Sequence, residues 1–196
     1  MKIVEARQLY SAQIRAYQEQ KLVLSKQKQE LEKKISTTPN GQELYANEAA
    51  ILELTYNAVN EKQTQYQDYM SKLNEQWAAQ ANLVSAKQQG EAMEEYVEDL
   101  GKIMQVARRL MDGDVVPASD ERKLMEYSSE LYQAAKNIGA MTKKEEREKY
   151  DSLWEDEEET VYEDPMEVAD NTEVFSGGPE IVDVADTMAA AVPVEG

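Results

Sequence analysis

The stretch "STTPNGQELY", Ser36–Tyr45, separates two runs rich in Gln, Glu, Lys, Leu and Tyr, and the fold depends on whether it is a turn or a spacer. Before it, one position in seven is apolar, at Ile3, Tyr10, Tyr17, Leu24 and Leu31, which draws a single stripe along a helix. After it, Tyr45, Ala49, Leu52, Tyr56, Val59, Gln63, Tyr66, Met70, Leu73 and Trp77 alternate in steps of four and three. That is the spacing of a coiled-coil seam, with Gln63 its only polar member. If the break is a tight connection, the helices run antiparallel and facing residues have position numbers with a constant sum. Leu31 with Tyr45, Leu24 with Leu52, Tyr17 with Val59, Tyr10 with Tyr66 and Ile3 with Leu73 all sum to 76, which centres the turn on residue 38. Pro39 stops a helix and Gly41 tolerates positive φ, so the reading predicts a helical hairpin.

The same test applies to "MDGDVVPASDER", Met111–Arg122. Asp112-Gly113 has the composition of a helix end, and Ser119 that of an N-cap followed by Asp120 and Glu121 in the first turn. Leu124 with Ala107, Tyr127 with Met104, Leu131 with Leu100, Ala134 with Val97 and Ile138 with Met93 all sum to 231. The spacing predicts a second antiparallel hairpin from residues 91–112 and 119–141. Continued backward, its seam runs through Gly90, Ala86, Leu83 and Ala79, one position out of step with the first seam. One residue is about 100° of helix rotation, so the two arms attach to different faces of a shared central helix over 43–112. A hinge in "SAKQQGEA", Ser85–Ala92, is the alternative, with the continuous helix favoured. The "TKKE" at Thr142–Glu145 fits a capping box, with a short helix to about Trp154 after it.

Composition separates a body from a tail. The chain of 196 residues carries 39 acidic against 21 basic side chains, a net charge of −18. Fourteen acids fall in Glu155–Glu195, and no Lys or Arg follows Lys149. Self-repulsion, with Pro165, Gly177, Gly178, Pro179 and Pro193, predicts disorder there. The expected architecture is therefore all-α: an elongated antiparallel coiled coil of two helical hairpins, residues 1–89 and 90–154, with a disordered acidic tail over 155–196.

Cys and His are both absent, which removes thiolate nucleophiles, disulfides, imidazole bases and the usual transition-metal ligands. The "DGD" at Asp112–Asp114 reads as a helix-ending turn rather than a calcium loop, because Val115, Val116 and Pro117 supply no further side-chain oxygen. Acidic pairs such as Glu94 and Glu98 read as a solvated face, since acid–base work needs a carboxyl in a dry pocket. No phosphate-binding glycine loop or nucleophile elbow occurs, and the expectation is a protein that is not an enzyme and takes no cofactor, metal or small-molecule substrate. Lys102, Arg108, Arg109, Arg122 and Lys123 lie among Asp112, Asp114, Asp120 and Glu121, which points to local ion pairing rather than nucleic-acid binding. The charged start has no apolar block of a signal peptide, and no apolar run reaches membrane-spanning length; a cytoplasmic location without membrane insertion follows as an expectation.

The residues singled out for partner binding are Trp77, Leu83 and Val84 on the central helix and Trp154 and Tyr162 at the start of the tail. Ala78, Ala79, Ala81 and Ala86 keep the helix slim beside Trp77, so a buried aromatic anchor could dominate an interface there. Packing of Trp77 under the protein's own last helix is nearly as good a reading. In "DSLWEDEEETVYEDPMEV", Asp151–Val168, apolar residues interleaved with acids resemble a short docking motif, against the plainer reading of a solubilising tail.

The stretch "ARRLMDGDVVPASDERKLMEYSSELYQAAKNIGAM", continuing into "YDSLWEDEEE", resembles a pattern in uncharacterised small helical, coiled-coil proteins of clostridia-like bacteria, over roughly residues 86–160. The resemblance implies a bacterial source and carries no activity and no site residues. The N-terminal hairpin is similar in outline to secretion-system hairpin substrates and to flagellar or export chaperones, but lacks a Trp-x-Gly turn at 36–41. The expected function is a non-enzymatic coiled-coil scaffold or adaptor that pairs with another protein, or with itself, through helices. A chaperone or effector-like component of a bacterial secretion, flagellar or phage assembly system is the alternative.

Overall fold

A computed structural model describes residues 1–142, 146–155 and 160–192. Seven helices follow in order among them: α1 (Ile3–Thr37), α2 (Gly41–Leu44), α3 (Ala46–Met111), α4 (Ala118–Tyr127), α5 (Ser129–Met141), α6 (Pro165–Asn171) and α7 (Val184–Ala191). No strand occurs among the described residues, and the class is all-α. The helix α3 runs without interruption through Ser85–Ala92, where the hinge was the alternative. The chain divides into two compact units, Met1–Val84 with Asp164–Gly196, and Ser85–Glu163. The expected boundaries at 89 and 154 are thus displaced, and the C-terminal segment joins the first unit instead of standing apart.

In the first unit, α1 and the N-terminal part of α3 lie antiparallel: Ile3, Tyr10, Tyr17, Leu24 and Leu31 are all buried, and Tyr10, Tyr17 and Leu24 share one core with Val59, Tyr66 and Leu73. The stripe is therefore correct, but its register is not. Tyr66 sits between Tyr10 and Tyr17, at ring-centroid distances of 5.7 and 5.4 Å, rather than opposite Tyr10. The polar pairs that flank the seam, Gln18 with Gln63, Lys21 with Asn60 and Lys28 with Glu53, all have position numbers summing to 81. The half-heptad shift has its cause in the turn. Asn40, not Gly41, takes the left-handed conformation, at φ 55°, and the one-turn helix α2 follows it, so the connection is centred near Asn40. Gly41 serves close approach instead: a Cβ there would lie 2.3 Å from the Ile35 carbonyl oxygen. Gln63, buried in the seam, donates to Gln18 Oε1 (2.6 Å) and accepts from Lys21 Nζ (3.1 Å), a satisfied polar layer that favours this register over an apolar slip.

The acidic segment corrects the expectation of disorder. Residues 164–192 form a strap over the hairpin, held at its start by Ile3 N–H to Thr172 O (2.9 Å) and Val174 N–H to Met1 O (3.1 Å). Val174, Val184 and Met188 pack on the core of α1 and α3. The carboxylates do not oppose this, because they sit outward or cap helices: Asp164 Oδ1 accepts from Met166 N–H and Asp183 Oδ1 from Ala185 N–H, each at 2.8 Å. Three apolar contacts and two capped helices outweigh a repulsion that salt at about 0.1 M screens over about 10 Å.

In the second unit, α3 ends in a Schellman turn, as the "DGD" reading required: Gly113 has φ 81°, its N–H reaches Leu110 O, and Asp114 N–H reaches Arg109 O. The expected long helix over 119–141 does not form. Ser128 is extended, at φ −157°, ends α4, and caps α5 by accepting Leu131 N–H at 3.1 Å. The direction of the chain changes there, and α5 delivers Gly139 and Thr142 to the C-terminal end of α3, where Thr142 Oγ1 donates to Met111 O. Ile138 and Met93, paired by the constant sum, are both exposed. The core consists instead of Ile103, Val106, Ala107, Leu110, Val116, Leu124 and Ala135.

The proposed capping box over Thr142–Glu145 falls largely outside the described residues, but the short helix expected before Trp154 is not present over 146–155. That segment is extended at Lys149, where Val115 N–H bonds Glu148 O (2.9 Å) and Tyr150 N–H bonds Val115 O (3.1 Å). It is anchored by Asp120, the third residue of α4; Ser119 lies inside that helix, and Pro117 rather than Ser119 is the capping residue. The Asp120 carboxylate is fully buried and accepts from Ser119 Oγ (3.0 Å), Ser152 Oγ (2.6 Å) and Leu153 N–H (3.0 Å). Asp120→Asn turns one acceptor into a donor facing these donors, and is expected to cost about 1–2 kcal/mol in a denaturant titration, with Asp120→Ser no better.

Candidate protein-interaction surfaces

The tyrosines that fill the first unit's seam have a second role that spacing alone did not reveal. Tyr10 Oη donates to Pro179 O (2.7 Å), Tyr69 Oη to Ser176 O (2.7 Å), and Tyr66 Oη donates to Glu180 O and accepts from Val182 N–H, both at 3.0 Å. Tyr17 Oη reaches Val182 O (3.0 Å) and shares a hydrogen bond with Thr187 Oγ1 (2.6 Å). The strap's backbone takes the place that water would hold at the edge of a bare two-helix seam. A phenol meets the requirement because its ring joins the core while its hydroxyl satisfies irregular backbone next to it. The excess of Tyr over Phe, 11 to 1, was the available signal.

Burial raises the pKa of Tyr10, Tyr17 and Tyr69 above the ordinary value of about 10. Folding therefore favours the neutral phenols, and as pH rises the unfolded chain loses these protons first. The stabilisation is complete below about pH 10 and is lost as pH rises past 10 through the raised values. Phenolate absorbance and helical ellipticity followed together should show a late-titrating tyrosine class whose ionisation coincides with loss of helix.

The five residues singled out from sequence are not brought together. Trp77 is half-buried: its indole N–H donates to Asp170 Oδ1 (2.7 Å), and Arg7 lies over its ring at 5.1 Å. Asp170 belongs to α6, so the strap covers Trp77, rather than a helix after Thr142. Trp77→Ala is expected to lower stability by about 2 kcal/mol in a thermal melt, a half-buried fraction of the usual aromatic deletion. On the same helix Leu83 is 64% exposed and Val84 half-buried. In the second unit, Trp154 is half-buried with its indole N–H on Asp99 Oδ1 (2.6 Å), and Tyr162 is exposed.

Aromatic rings lie against three members of the basic cluster. Lys123 and Lys102 lie over the Trp154 ring at 4.4 and 5.8 Å, and the Arg109 guanidinium lies 3.9 Å from the Tyr150 ring centre. Among the described residues, no cluster of three or more acidic side chains is arranged to hold a metal ion. No described helix is long and apolar enough to cross a membrane.

Each unit has an open apolar surface among its described residues. In the first, a groove of about 810 Å³ opens between α1, α3 and the end of α7, lined by Leu24, Leu31, Ile51, Leu52, Met188 and Val192. In the second, Met93, Val97 and Met104 project from α3 at 63, 59 and 53% exposure, although their spacing is that of a buried seam. Gln88, Asp99 and Lys102 lie on the opposite side of the same helix, at about 100° per residue, and that is the side the rest of the unit occupies: Gln88 donates to Glu163 O and Asp99 accepts from Trp154. Sequence reasoning found this seam and assigned it to the wrong partner. No known protein family, curated protein or solved structure matches the chain.

Proposed function

We propose that the protein is a non-enzymatic helical scaffold or adaptor that binds protein through exposed helical faces. The observation that supports this reading is the open row of Met93, Val97 and Met104 on α3. Apolar side chains at steps of four and seven cost little when covered by another helix, whereas in water they contribute nothing to the fold. An uncharged row with Glu94 and Glu98 along one flank and Gln89 along the other is the arrangement of an interface core with a polar rim. A chaperone-like role in a bacterial assembly system is the second reading, supported by the groove beside α7, whose apolar floor from Leu24 to Ile51 suits a partner's apolar segment.

The test is capture by the full-length tagged chain in its native host, beside the double variant Met93→Asp/Val97→Asp. Both positions are solvent-exposed, so the variant should keep the helicity and melting of the parent. The reading predicts a defined set of bound proteins, this chain included, that the variant loses. An identical set with both proteins would place binding elsewhere, and Leu52→Asp in the groove of α1, α3 and α7 would then distinguish the second reading.

A further inference from the structure

Resting on the interaction reading above, we infer that the open face of α3 is the site at which a second copy of this chain pairs antiparallel, across a two-fold axis beside Gly90. Three features of the segment from residue 86 to residue 104 converge on this. The seam Ala86, Gly90, Met93, Val97, Leu100, Met104 steps by four and three without a break, the repeat of a helix that packs against another helix. Among the described residues it has no such partner along most of its length, for Ala86, Gly90, Met93, Val97 and Met104 are exposed and Leu100 alone is half-buried.

Glycine is the second feature. Gly90 lies in the middle of a 66-residue helix, where glycine weakens the helix relative to alanine. A Cβ built on Gly90 meets no atom within 4 Å, so nothing inside the monomer requires its absence. At the centre of a helix pair the same glycine lets two backbones approach closely.

Charge selects the occupant and the register. Lys87 and Glu94 each follow a seam residue by one position, so they lie on the same flank of the helix. In an antiparallel pair like flanks face each other, and with the axis beside Gly90 each Lys87 meets Glu94 of the other copy, giving two symmetric ion pairs. A shift by half a heptad sets Glu94 against Glu94, and a shift by a full heptad sets Lys87 against Arg108. A parallel pair would set Lys87 and Glu94 against the other flank, which carries Gln89 and Tyr96 and offers no opposite charge. Lys87 already has Glu91 one turn away, at 3.6 Å, but with the lysine side chain 76% exposed that pair does not hold it from a second partner.

The experiment uses the full-length chain. Sedimentation across micromolar concentrations is expected to show a reversible monomer–dimer equilibrium. Lys87→Glu alone and Glu94→Lys alone should each weaken it by about tenfold, since two pairs turn repulsive at once, and the double exchange should restore it. The chain has no cysteine, so single-cysteine variants report geometry directly: Gly90→Cys should oxidise to a dimer, whereas Glu95→Cys, on the opposite side of the helix, should not. A chain that stays monomeric, a double exchange that fails to restore pairing, or equal oxidation of the two cysteines overturns the inference. If the chain is monomeric while Met93→Asp/Val97→Asp still abolishes capture of another protein, the second copy is excluded and the interaction reading stands; if capture is unaffected too, both fall.

Discussion

Ending the chain at Glu163 is expected to lower the thermal midpoint of the first unit by about 10 °C, equivalent to roughly 3 kcal/mol for a unit of this size. The removed strap contributes the packing of Val174, Val184 and Met188 against the tyrosine core, each partly buried and each worth about 1 kcal/mol or more by area. It also carries the carbonyl partners of Tyr10, Tyr17, Tyr66 and Tyr69, but water can replace those bonds once the strap is gone, so their loss adds little. The freed residues regain chain entropy, which keeps the net effect well below the gross contact energy. Circular dichroism melts of the truncated and full-length proteins decide the matter. Equal midpoints would mean that the hairpin of α1 and α3 is self-sufficient and the strap an ornament on it. A narrower version is Gly178→Val: a Cβ at this glycine would lie 2.1 Å from Tyr10 Oη and 2.5 Å from Tyr69, so the strap must lift locally, and a protease should then cut near residue 178 faster than in the parent.

Gly139→Ala is the single substitution expected to cost most, about 3 kcal/mol. Gly139 is buried where α5 crosses the end of α3, and an added Cβ would lie 2.0 Å from the Leu110 carbonyl oxygen. The clash is with backbone inside a helix, which yields far less readily than a side-chain tip, so overpacking falls at the upper end of its usual range. Alanine's better helix propensity returns less than about 1 kcal/mol. Gly101→Ala is the matched control, since a Cβ there meets nothing within 4 Å; it should leave the chain unchanged or slightly more stable. Urea titrations of the two variants should differ by about 3–4 kcal/mol, and a Gly139→Ala protein as stable as its parent would contradict the observed crossing of α5 and α3.

What the sequence by itself determined was the local and periodic part of the fold. Stripes such as Tyr10–Tyr17–Leu24 and Val59–Tyr66–Leu73 define helix faces because each depends only on neighbours three and four positions away, and all six residues are buried. Pro39 and Gly113 marked helix ends for the same reason, since backbone restrictions act within a turn or two. The stripe of Met93 and Val97 was legible too, but not its exposure. Register, partner choice and the fate of the acidic segment needed the tertiary structure. The pairing of α1 with α3 shifted by half a heptad because Asn40 and the added turn of α2 moved the centre of the connection, a matter of a few ångströms to which a seven-residue repeat is blind. The extended conformation of Ser128 sent α5 to Leu110 instead of Met93, and nothing in "MEYSSELY" contradicts a continuous helix until packing is considered. The strap was hidden by averaging. Charge summed over Glu155–Glu195 predicts repulsion, yet Asp164 and Asp183 cap helices while Val174, Val184 and Met188 face a surface that exists only once α1 and α3 have folded. A segment's net charge describes its encounter with water; whether it folds depends on the apolar surface and the hydrogen-bond donors that the rest of the chain presents to it.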